Sequence, residues 1–162
     1  MIRQLLSLSI ILLLAFANMQ ASSGNKNNAI KKYLVQTKYE AMLSGKDMVP
    51  QVKTEANGEA TFDFSKDGKK LYYKVIAHNI EGVIMAHIHH APAGKDGPIA
   101  VWLYKGKATG KVNGILSKGI ITNKDVNLDS LKTWINEGNA YVLIHTKAYP
   151  NGELRGTIEK SK

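Results

Sequence analysis

Beyond residue 33 the chain is built of short runs rich in Val, Ile, Tyr and Phe, separated by clusters of Gly, Pro, Asn and Asp. That pattern is the mark of strands joined by tight turns. Strands are predicted near 33–43, 58–64, 70–77, 83–89, 99–104, 112–121, 140–145 and 153–159. The breaks, such as "SKDG", "APAGKDGP", "YKGKATGK" and "YPNG", each hold Gly or Pro at a turn position. One segment has helical spacing instead. Asp129 is its expected N-cap, Leu131, Trp134 and Ile135 share a face, and Gly138 closes it. The fold class that follows is all-β, an antiparallel β-sandwich or Greek-key barrel with one short connecting helix.

The N-terminus departs from this pattern. In "MIRQLLSLSIILLLAFANMQA" a positive flank, Arg3, precedes an apolar run and then small residues. This is the layout of a secretory signal, with cleavage after Ala17 or after Ala21. The apolar run is shorter than the roughly 20 residues a span requires. An uncleaved anchor is the alternative. The organisation expected is a signal peptide over 1–21, a polar linker over 22–38 and one domain over 39–160, secreted or otherwise extracytoplasmic (periplasm or cell surface), with no membrane span after cleavage.

Composition narrows the chemistry. The chain has no cysteine, which removes disulfides, thiolate ligands and a thiol nucleophile, so any metal is expected on imidazole and oxygen. Lys and Arg number 22 against 13 Asp and Glu, for a net charge of +9. The lysines are scattered among the strands rather than clustered with arginine and aromatics, so nucleic acid is not an expected partner. There is no G-x-S-x-G elbow, H-E-x-x-H helix or glycine-rich phosphate loop.

Histidine is the residue type that stands out. Three of the five histidines, His87, His89 and His90, fall within "AHIHHAPAGKDGP". Strand side chains alternate between faces, so Ile84, Ala86 and Ile88 form one face, expected to be the core, and Met85, His87 and His89 the other. In "YVLIHT", Val142 and Ile144 face the core and His145 the opposite side. If these strands are neighbours, His87, His89 and His145 form a three-imidazole cluster with one face open to water, a donor set suited to Zn²⁺ or copper. His90 is a loop-edge bystander and His78 a turn residue. Such histidines are, as a rule, more often surface or hydrogen-bonded structural residues than ligands, and that reading stands beside the first.

Two separated stretches, "AHIHHAPAGKDGPIAVWL" and "YVLIHTKAYPNGELRGTI", together with "MLSGKDMVPQVKTEANGEATFDF" upstream, resemble the CHRD (chordin) domain family. The likeness runs from about Tyr39 to Ile158. It implies a single β-sandwich and an analogy with copper/zinc superoxide dismutases, which also carry an H-x-H strand on a Greek-key barrel. It marks His87, His89 and His145 as the family's recurrent histidines, and Glu153 and Arg155 as its recurrent charged pair. Two positions depart from the family pattern: Ala91 precedes Pro92 where Gly is commoner, and Leu143 replaces a polar residue. Neither removes a candidate ligand, but the acidic and histidine ligands of a separate zinc site are not evident, so a mononuclear centre fits better than a dinuclear one.

Glu153 and Arg155 share one face of the last strand, with Leu154 on the core side. A cross-strand ion pair is the favoured role for them. The alternatives are that Arg155 draws an anion toward a metal, or that Glu153 orients a ligand imidazole. Two functions remain in competition. One is an exported domain holding copper or zinc on three histidines, with superoxide dismutase-like chemistry open to it if the ion is copper. The other is a non-catalytic module binding an extracellular protein or envelope polymer, its histidines structural; relatives of the family sit in a secreted growth-factor antagonist.

Overall fold

The computed structural model describes residues 38–107 and 110–162. The expected signal, nearly all of the linker and positions 33–37 of the first strand lie outside the described residues. The elements run β1 (Lys38–Ser44), a 3-10 turn (Gly45–Asp47), β2 (Asn57–Phe64), β3 (Lys70–Ile80), β4 (Val83–His90), β5 (Ile99–Lys105) and β6 (Val112–Thr122), then α1 (Leu128–Asn136), β7 (Ala140–Thr146), β8 (Leu154–Thr157) and β9 (Glu159–Lys160).

All pairings are antiparallel, in the order β5-β4-β7-β8-β1-β2-β3-β6, with β9 added to β1. The two end strands approach each other, and near them the Tyr73 hydroxyl donates to the Leu103 carbonyl at 2.9 Å. The result is a nearly closed barrel with one helix, as the alternation implied. Inside it, Phe62, Leu71, Ile80, Ile88, Ile121, Ile144, Leu154 and Ile158 are fully buried, each contributing roughly 1.5–3 kcal/mol by leaving water. Leu128, Leu131 and Ile135 of α1 add to the same core.

Most strands alternate buried and exposed positions, as β1 and β2 do. β4 and β8 carry runs of consecutive buried residues instead, and β7 is buried at every position. A second layer covers its outer face there: Met48, Ala91, Tyr141 and Leu143 form a separate apolar cluster with Val52 against it. The segment after β1 and the loop after β4 supply that cover. It is what places the histidines in an interior rather than on a surface.

Local expectations change in three places. The helix begins earlier than Asp129: Asn127 is the N-cap, its side chain accepting from Ser130 N at 2.8 Å, and Asp129 sits in the first turn beside the positive end of the helix. Gly138 closes it as expected, with φ 72. His78 is no turn residue but lies within β3, opposite Asn57. On β4, Val83 rather than Ile84 is fully buried, because a bulge between Val83 and Met85 shifts the pairing there.

Candidate metal centre

β4 and β7 are neighbours, and their register sets Met85 opposite His145, His87 opposite Leu143 and His89 opposite Tyr141. No bulge intervenes from Met85 to His90 in this pairing, so parity carries all three histidines to the outer face while Ala86, Ile88, Val142 and Ile144 fill the core. The ring centroids of His87 lie 5.4 Å from His89 and 5.2 Å from His145. One nitrogen from each of His87, His89 and His145 falls within 4.8 Å of the others. The expected juxtaposition of these three is thus present.

The expected open face is not. His87 is 0 % exposed, and His89 and His145 are each 7 %. Trp102 of β5 sets its ring edge-to-face with His87 at 4.1 Å, and Tyr141 stacks on His89 at 5.1 Å. His90 stands apart from the cluster, as expected of a bystander: it ends β4 and stacks on Trp134 of α1 at 4.0 Å.

Two of the imidazoles are oriented by main-chain oxygens. His89 Nδ1 lies 2.9 Å from Gly97 O, and His145 Nδ1 lies 2.9 Å from Pro150 O. A carbonyl can only accept, so each Nδ1 carries a hydrogen, and in the neutral ring Nε2 is left with a free lone pair. Both Nε2 atoms, and both ring nitrogens of His87, are buried without a hydrogen-bond partner. Burial is the first cause holding all three below the ordinary histidine pKa. It takes His87 to about 4, with His145 and His89 adding to the effect. For His89 and His145 the carbonyl bonds oppose the shift without cancelling it. At neutral pH this is a cluster of uncharged donors.

Glu153 and Arg155 are buried at 6 % and 3 % exposure, but they do not pair with each other. Arg155 bonds Asp96 at 2.9 Å and the Lys95 carbonyl at 2.6 Å, with its guanidinium 3.7 Å above the Tyr141 ring. Glu153 accepts from the hydroxyls of Thr54 and Thr146, both at 2.7 Å. Each therefore anchors a loop. Arg155 holds the segment that presents Gly97 O, where Gly97 N also donates to the Tyr141 hydroxyl at 3.1 Å. Glu153 holds Thr146, whose hydroxyl accepts from Tyr149 N at 3.1 Å, next to Pro150. Neither the anion-attracting role nor direct imidazole orientation by Glu153 matches these contacts: the carboxylate is consumed by hydroxyls and the guanidinium by Asp96 and a carbonyl. Two positions apart on the chain, they reach to different loops, Glu153 to Thr54 and Arg155 to Asp96.

Sequence reasoning missed Trp102, Tyr141, Gly97 and Pro150. Tyr141 was within reach, since its parity matches His145. The two carbonyls carry no side-chain signature. Chemically, the set offers three neutral nitrogens in a dry pocket. Tetrahedral ligation with bonds of about 2.0–2.1 Å would bring such donors to about 3.4 Å from one another, so the rings would have to move closer together.

Comparison with known proteins agrees with this architecture. The CHRD domain model matches residues 39–158. Chordin of Danio rerio is 30% identical over 120 residues, which make up 72% of this chain and 12% of that protein; the chain thus spans only a small part of that relative. The residues matched by the family model include both histidine strands and the closing Glu153–Arg155 segment. With the family model covering the barrel from β1 to the end of its core, the chain belongs to the CHRD domain family.

Proposed function

We propose that this is an extracytoplasmic CHRD domain that binds one copper or zinc ion through His87, His89 and His145. The observation that carries the reading is the set of buried ring nitrogens without partners, converging within 4.8 Å. A buried polar atom lacking a hydrogen bond costs about 1–3 kcal/mol, and here several stand together. A metal ion bound to one nitrogen of each ring satisfies three of these four atoms at once. The preset Nδ1–H bonds match the arrangement by which metal-binding histidines are held through their second nitrogen.

The localisation rests on the signal-like N-terminus and on CHRD membership. Among the described residues no helix is long and apolar enough to cross a membrane. Superoxide dismutase-like turnover needs a coordination position that an anion can reach. Rings exposed by 7 % or less favour binding over turnover.

A second reading has its own support. Family membership and the small chordin match favour a protein-interaction module, with the histidines serving only to pack the two loops against β4 and β7. Isothermal titration of the purified domain with Cu²⁺ and Zn²⁺ separates the two. The metal reading expects one equivalent bound, lost in a His87→Ala/His145→Ala variant. Equal heats from both proteins would leave the interaction module standing alone.

A further inference from the structure

Met85 is the one thioether that the β4–β7 register sets beside the imidazoles. It faces His145 directly across the ladder and precedes His87 by two positions on the same strand. Directly opposed residues have Cβ atoms about 4.5–5.5 Å apart, and residues i and i+2 of a strand share a face. Met85 is half-buried, yet it belongs to neither apolar cluster and is not among the side chains packed against them. A large flexible apolar side chain that is sheltered but absent from the core has another neighbour to explain, and its register points to the histidine cluster.

We propose that Met85 Sδ is a fourth donor, completing a three-imidazole, one-thioether centre selective for cuprous copper. The proposal rests on the three-histidine reading above and deepens it. Imidazole alone serves zinc and copper alike, whereas a thioether is a soft donor that suits Cu(I) and is not among the usual zinc ligands. Absence of cysteine leaves methionine as the soft donor this chain can offer. Met48, the other methionine near the site, is already engaged in the outer apolar cluster with Tyr141 and Leu143. Filling the fourth position from the protein suits carriage or buffering of the ion. It leaves no position for an external substrate.

The rim fits this use. On its other edge, β4 places Met85 opposite Lys105, and the Lys105 ammonium lies 4.8 Å above the Trp102 ring. Trp102, 44% exposed, thus forms the outer wall over His87 and shields the cluster from bulk water.

The test compares wild type with Met85→Leu, Met48→Leu and His145→Ala, using Cu(I) in competition with a chromophoric cuprous chelator, Zn²⁺ titration, and copper K-edge absorption. Leucine conserves volume, so the fold should persist, with circular dichroism as the check. Met85→Leu is expected to weaken Cu(I) binding at least about tenfold, the scale of a lost or misplaced ligand contact. It should leave Zn²⁺ affinity nearly unchanged and abolish a sulfur scatterer that wild type and Met48→Leu both show. Wild-type Cu(I) affinity in Met85→Leu, no sulfur scatterer in wild type, or loss of the scatterer in Met48→Leu alone would overturn the proposal while leaving the three-histidine site intact. Undiminished metal binding by His145→Ala would overturn both.

Discussion

The two buried charged residues beside the cluster illustrate how much a single side chain can organise. Arg155 holds Asp96, the Lys95 carbonyl and the face of Tyr141, and Tyr141 in turn stacks on His89. Replacing it by methionine keeps the apolar stem and removes the fork, freeing the loop that presents Gly97 O. The expected loss is about 2–3 kcal/mol, because hydrogen bonds to a buried charge are stronger than neutral ones, and metal affinity should fall by about 10–100-fold. Lysine can contact Asp96 but not span both acceptors in the plane of the ring, so Arg155→Lys should recover only part of the affinity. Urea unfolding and metal titration together check this; wild-type affinity in both variants would show that the loop holds its place without Arg155. Glu153→Gln is milder, since an amide oxygen still accepts from one threonine. About 1 kcal/mol is expected.

At the scale of elements, the cluster depends on strand junctions that keep β8 tight against both β1 and β7. Gly156 lies on β8, and a Cβ there would meet the backbone carbonyl of Met42 on β1. Gly156→Ala should therefore cost more than a surface change, about 3 kcal/mol or above, read as a fall in the urea midpoint. A midpoint within experimental scatter of wild type would mean that β1 and β8 can separate freely there. The turn before β8, in the "YPNG" break, is a different case: Gly152 has φ 124, a positive value that glycine accepts without strain. Strand existence and facing were legible because period-2 alternation is a direct record of burial. Parity on two strands was enough to select His145 over the nearer His90. The outer layer was not legible. Segment 45–56 shows no periodicity, and Met48 and Val52 alone do not reveal that they cover Tyr141 and Leu143. Nor could the partners of Glu153 and Arg155 be read, since Thr54 and Asp96 sit in loops whose positions only the assembled barrel defines.

For the whole molecule, the buried imidazoles should make stability depend on pH and, on the proposed reading, on metal. In the metal-free protein all three histidines have folded-state pKa values lowered below the ordinary 6.5, His87 to about 4. As pH falls below 6.5 the unfolded chain takes up protons first. Their contribution is therefore fully present above about pH 6.5 and is lost as pH drops toward the folded-state values, by up to roughly 1.4 kcal/mol per pH unit for each histidine involved. Urea midpoints in chelator at pH 7 and 4.5 check the sign, and a higher midpoint at the lower pH would contradict it. Metal should act in the opposite sense at neutral pH, since a ligand that binds only the folded state stabilises it by about 2.7 kcal/mol at a hundredfold excess over Kd. The most direct measurement is thus the thermal midpoint of the domain at pH 7.5, in chelator and then with one equivalent of copper or zinc, for wild type and His87→Ala/His145→Ala. A rise of several degrees in wild type and none in the variant is the expected result; a midpoint that no metal moves in wild type would contradict the three-histidine centre.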